Sequence, residues 1–132
     1  MFEEGRVVEN NNVALKYEDG ILIGEYLVPK LDLEVAKDVM SLQIKYYGAD
    51  VNFVITDLSK VKSVTKEARD FFSREEFTEN IIAAAFIAPT ILHKLMFTFF
   101  LTFNKPVMPV AFFTNLQDAR FWIKKFQKVQ RK

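Results

Sequence analysis

The chain has 132 residues, half of them hydrophobic and 27% charged, which suits one packed domain and excludes a disordered chain. Eighteen Lys and Arg against seventeen Asp and Glu leave a net charge of +1, which argues against a general nucleic-acid binder. With no Cys and a single His, disulfides, thiol nucleophiles and the usual zinc sites are gone, and no metal or cofactor is expected.

The start, Met1-Phe2-Glu3-Glu4-Gly5, is acidic and shows no secretory signal, so a cytoplasmic protein is expected. Residues 1–12, ending in three consecutive Asn, read as a flexible arm. Val13 to Glu18 and Ile21 to Val28 are rich in β-branched and aromatic residues and flank Asp19-Gly20, a pair suited to a type I′ turn. They predict a hairpin. Asp32 then caps an amphipathic helix with Val35, Ala36, Val39, Met40, Gln43, Tyr46 and Tyr47 on one face, stopped by Gly48.

Val51 to Thr56 and Ile81 to Ala88 are apolar runs of buried-strand length. Between them, Thr65 caps a helix that turns Ala68, Phe71 and Phe72 inward. After Pro89-Thr90 comes a third helix with Leu92, Leu95, Met96, Phe99, Phe100 and Phe103 in register, broken at Lys105-Pro106. Ile91 to Phe103 falls short of the ~20 apolar residues of a spanning helix, so no transmembrane segment is expected. Val110 to Phe113 is a last short strand. Thr114 with Gln117 spells a capping box for a final helix carrying Leu116, Ala119, Trp122, Ile123 and Phe126 on its apolar stripe. The order is an N-terminal β-hairpin followed by alternating helices and strands. It predicts an α/β fold with a mixed sheet of about five strands and about four helices, with right-handed crossovers.

In such sheets ligands gather at the carboxyl ends of the strands, where helix N-termini converge. That edge would hold Asp57, Ser59, Ser63, Thr65, Lys66, Thr90 and His93. As a binding site, Ser59, Thr65 and Thr90 supply hydrogen bonds and Lys66 the cation; alternatively, Thr65 caps a helix, and Asp57 and Ser59 satisfy loop backbone. His93, beside Lys94 and without a nucleophile at a recognisable spacing, reads as a surface residue rather than a general base. No Gly-rich phosphate loop, His-Glu-x-x-His or Gly-x-Ser-x-Gly is present, and Glu3-Glu4 and Glu75-Glu76 read as solvated faces, so an enzyme is not expected.

The third helix also carries Phe97 and Leu101 on the side shared with Lys94, a wider apolar surface than one sheet face needs. Three covers are open: a homodimer or protein partner centred on Phe97 and Leu101, an apolar cavity for a lipid-like or aromatic ligand, or intramolecular cover by the arm or by the segment around Phe77. The basic end, Lys124, Lys125, Lys128, Arg131 and Lys132, could touch an anionic membrane or nucleic acid; the simpler reading is complementation of the helix dipole.

Several stretches together carry a resemblance: Asp32-Leu33-Glu34-Val35-Ala36, the run from Val54 through Asp57-Leu58-Ser59-Lys60 to Phe72, Asn104-Lys105-Pro106, and Phe112-Phe113-Thr114 with Ala119 and Trp122. Over roughly residues 13 to 126 the chain resembles a STAS-type domain, the sulphate-transporter and anti-sigma-factor-antagonist fold, in a small stand-alone bacterial branch. The resemblance implies one STAS-like domain over 13–129, after the arm and before a basic tail at 130–132. In phosphorylated antagonists the helix after the central strand opens on an Asp-Ser pair; Thr65 and Lys66 align there, with Ser63 a neighbour, and a Lys cannot accept phosphate. The resemblance therefore implies a surface for binding other molecules, without implying catalysis. Together with the wide apolar face of the third helix, it gives a regulatory or interaction module that self-associates through that helix. A small-molecule carrier or sensor whose Phe-rich interior holds an apolar or carboxylate ligand is the alternative.

Overall fold

Twelve segments of regular structure follow the first strand in the computed structural model, which describes residues 4–96 and 106–130. They order as β1 (Val8–Glu9), β2 (Val13–Glu18), β3 (Ile21–Tyr26), β4 (Lys30–Leu31), α1 (Leu33–Tyr47), β5 (Phe53–Asp57), β6 (Ser63–Val64), α2 (Lys66–Phe72), α3 (Glu75–Thr78), β7 (Ala83–Ile87), α4, described over 91–96, β8 (Val110–Phe113) and α5 (Leu116–Gln130). The main sheet runs β1-β2-β3-β5-β7-β8, and β4 with β6 forms a separate two-stranded pair. The expected mixed α/β sheet is present, with one more main strand than the sequence suggested.

The hairpin forms because Asp19 (φ 53°) and Gly20 (φ 78°) both adopt the left-handed conformations that an I′ turn demands. The register Glu18↔Ile21 follows directly. Within the segment read as an arm, β1 pairs antiparallel with β2, Val8 opposite Leu15. Asn10 and Asn12 fasten this lead-in by donating from their Nδ2 atoms to Asp38 of α1, at 2.7 and 2.8 Å.

From β3 onward the main-sheet pairs are parallel, and Ile23, Ile55, Ala85 and Ala111 line up in one row across the sheet. Alternation then sorts side chains between two cores. On one face Leu22, Leu15, Val13 and Tyr26 pack with Ala36, Val39 and Met40 of α1 and Ala68 and Phe71 of α2. On the other, Ile21, Ile23, Phe53, Ile55, Ala83, Ala85 and Ile87 receive Ala119 and Ile123 of α5 as their buried partners among the described residues. The alanines of β7 leave room for α5 to lie close against the sheet.

Asp32 caps α1 by accepting from Val35 N at 3.0 Å, and Gly48 (φ 76°) ends it. The final helix starts differently from the expected capping box. Asn115, not Thr114, is the N-cap, its Oδ1 accepting from Asp118 N at 2.9 Å. The last sheet pair is Ile87↔Phe113, which leaves two residues to turn before α5 begins.

Many rings are accounted for by packing on one another: Phe71 with Phe77 at 5.0 Å between centroids, Phe86 with Phe112 at 5.8 Å, and Trp122 with Phe126 at 4.7 Å. Among the described residues no helix is long and apolar enough to cross a membrane.

Candidate functional site

Strand β5 ends at Asp57, whose Oδ1 accepts from the backbone N of Ser59 at 2.9 Å and from its Oγ. This Asx turn swings the chain out of the sheet. Backbone bonds then hold the loop from both sides. Leu58 N donates to Ile87 O of β7 at 3.0 Å, and Val61 N returns to Leu58 O at 3.0 Å. Lys62 N and Ser63 N both donate to Pro29 O, at 2.7 and 3.1 Å, and Ser63 enters β6 opposite Lys30. Thr65 N bonds Leu31 O at 3.0 Å, and its Oγ1 caps α2 by accepting from Ala68 N at 3.2 Å. Lys66 directs its ammonium to Asp70 at 2.8 Å, one turn on, and that hydrogen bond raises its pKa above the ordinary lysine value. Both groups stay exposed, so the pair contributes little to stability.

The neighbouring corner leaves β7 through Ala88, Pro89 and Thr90 and opens α4. Here the structure departs from the sequence reading. His93, expected at the surface, is 4% exposed, while Leu92 and Leu95, expected in the core, are 54% and 63% exposed. The imidazole is held at both nitrogens. Its Nε2 lies 2.8 Å from Val61 O, and its Nδ1 contacts Thr90 Oγ1, which also accepts from His93 N at 3.3 Å. A carbonyl only accepts, so Nε2 carries the proton of that hydrogen bond. One buried side chain thus ties the loop after β5 to the start of α4.

The expected edge residues therefore fall into two groups joined by His93. Asp57, Ser59, Ser63, Thr65 and Lys66 belong to the loop and to the start of α2; Thr90 and His93 belong to the start of α4. Asp57, Thr65 and Thr90 fix backbone, whereas Ser59, Ser63 and Lys66 present exposed side chains. Two backbone acceptors, Pro29 O and Val61 O, are as important to the geometry as any side chain, and no residue type signals them. Among the described residues no three His, Cys, Asp or Glu side chains gather as a metal site.

Of the interface residues, Lys94 is exposed on α4, and Phe97 and Leu101 lie outside the described residues. Around Lys94 the helix shows solvent Ile91, at 77% exposure, with Leu92 and Leu95. Of the intramolecular covers considered for this helix, the described parts pack elsewhere. Gly5 to Asn12 are fixed on β2 and α1, and Phe77 packs on Phe71 of α2.

The model of a family described as Domain of unknown function (DUF7793) matches residues 15–127. No curated protein matches the chain. Among solved structures, an uncharacterized protein of the DUF3478 family with a SpoIIAA-like fold, from Shewanella loihica PV-4, superposes with a TM-score of 0.62. The match has 16% sequence identity and covers 87% of this chain and 97% of that one. At that identity the likeness concerns the fold, and the fold is STAS-like.

Proposed function

The chain belongs to the DUF7793 family, and from its STAS-like fold we propose that it works without catalysis, as an interaction module that pairs with a second copy of itself through the start of α4. The observation that carries this reading is the start of α4, which over 91–96 sends its histidine inward, packs Met96 on the core and leaves Ile91, Leu92 and Leu95 in water beside Lys94. Three large aliphatic side chains on one turn and a half of helix form the kind of apolar patch that association removes from water. In this reading Phe97 and Leu101 extend the same contact.

The loop from Asp57 to Lys66 serves as a recognition edge, with Ser59, Ser63 and Lys66 outward and Thr90 and His93 fixing their support. Regulation by docking at this edge, in the cytoplasm, is part of the same proposal. A Phe-rich ligand cavity is not favoured: among the described residues, Phe71 packs on Phe77, Phe86 on Phe112 and Trp122 on Phe126.

The test is the mass of the native assembly, by light scattering or native mass spectrometry, for the parent chain and for the Leu92→Glu/Leu95→Glu variant. A dimer that becomes a folded monomer on substitution is the expected result. A parent chain that stays monomeric at high concentration, or a variant that stays dimeric, overturns the α4 interface.

A further inference from the structure

The net charge of +1 conceals a division of the chain. Six of the eighteen basic residues, Arg120, Lys124, Lys125, Lys128, Arg131 and Lys132, lie in the last thirteen positions, where there is no Asp or Glu. The first 119 residues therefore hold twelve bases against seventeen acids, a net of −5. Among the described residues, α5 is the helix that packs on its face of the sheet, with Ala119 and Ile123 buried beneath it. Glu75, Glu76 and Glu79, on or just after α3, belong to the opposite layer, where Phe77 packs on Phe71. These three acids thus lie across the sheet from α5, while the acids beside α5, Glu18, Asp19 and Asp118, gather at its start, around Arg120.

The outward side of α5 is exposed at Phe121, Lys124, Lys125, Lys128 and Val129, with Phe121 at 67% and Val129 at 66%. Lys125 lies with its ammonium 5.2 Å from the centre of the Phe121 ring. Phe121 and Lys124 also line an open groove with Leu116, Gln117 and Arg120. Complementation of the helix dipole acts within the last turn, so it accounts for Lys128 and not for Lys124, Lys125 or the exposed ring. A merely solvated face would intersperse both signs.

We propose that the outer face of α5 is a docking surface for an anionic lipid bilayer, independent of the α4 contact. Lysine point charges around an exposed Phe and Val suit headgroup phosphates above acyl chains. They lack the planar bidentate donors that read base edges. The acidic body then favours an orientation with α5 down and α3 away from the membrane.

The test is vesicle co-sedimentation of the full chain with phosphatidylcholine alone and with phosphatidylcholine plus phosphatidylglycerol, at low and raised salt. Binding is expected only to the anionic vesicles and to fall as salt rises. The Lys124→Glu/Lys125→Glu/Lys128→Glu variant, checked for folding by circular dichroism, should lose on the order of a hundredfold in partitioning or more. Should that variant fail to fold, Lys125→Glu and Phe121→Ser singly should each weaken binding. Equal binding to neutral vesicles, no binding to anionic ones at low salt, undiminished binding by the folded variants, or tighter binding to mixed-sequence duplex DNA in the same buffer would each overturn the proposal.

Discussion

Helices α2 and α4 both start at the carboxyl edge of the sheet, and both take a threonine hydroxyl as acceptor for an early backbone N–H, Thr65 for Ala68 and Thr90 for His93. They settle in opposite ways. Helix α2 buries Ala68 and Phe71 and keeps Lys66, Glu67 and Asp70 in water. Over 91–96, α4 buries a histidine and exposes three aliphatic residues. An apolar stripe alone therefore does not decide how a helix seats. On α4 the rotation goes with two hydrogen bonds of one imidazole, and exposing the aliphatic side chains has a cost that burial at an interface would offset.

The contrast is broken most directly by truncating one apolar residue on each helix. Phe71→Ala should destabilise by about 3–5 kcal/mol, because it removes a buried ring and leaves a cavity. Leu95→Ala, measured at protein concentrations low enough to disfavour assembly, should stay within about 0.5 kcal/mol. Denaturant unfolding of both reports the difference; similar losses would mean that α4 is seated by its leucines after all. Next in size is His93→Ala, which leaves Val61 O without its donor in a buried place and should cost about 1–3 kcal/mol. Its amide exchange signature should be local, with faster exchange in the loop from Leu58 to Lys62 and at the start of α4. Protection lost evenly over the whole sheet would contradict a tie between two loops. Thr65→Ala removes only a cap and should cost about 1 kcal/mol, measured as a small fall in unfolding midpoint.

These helices also show what a sequence can and cannot convey. The turn at Asp19-Gly20, the caps at Asp32, Gly48 and Thr65, and the Asp57–Ser59 turn are legible because each rests on a residue and its immediate neighbours. Strands β1, β4 and β6 are two residues long, and what makes them strands is a partner backbone, close by for β1, with Val8 opposite Leu15, and far along the chain for β4 and β6, with Lys30 opposite Ser63. The burial of His93 was hidden for the same reason: its partner is a carbonyl thirty-two residues away, and beside Lys94 a histidine looks solvated. Thr114 and Asn115 are both competent caps; the end of β8, set by pairing with β7, picks the second.

A polar tie need not be buried, and the smallest expected effect separates the two kinds. Helix α5 is clasped to the hairpin turn by Arg120, which reaches Glu18 and, at 3.7 Å, Asp19, while Gln127 donates to Asp19 O at 2.7 Å. The Arg120 hydrogen bond holds the Glu18 carboxyl below its ordinary pKa. A depressed folded-state value means that the stabilisation is present above the unfolded carboxyl's pKa of about 4.3 and is lost as pH falls through the folded value. The difference in melting temperature between the parent chain and Arg120→Gln should therefore be small and constant from neutrality to about pH 5, shrink below that, and diminish with added salt. A difference that grew toward acid would reverse the sign and place the clasp elsewhere. Salt should leave the effect of His93→Ala nearly unchanged, since a buried hydrogen bond is not screened as an exposed ion pair is; the two measurements together distinguish a tie that seats a helix from one that trims it.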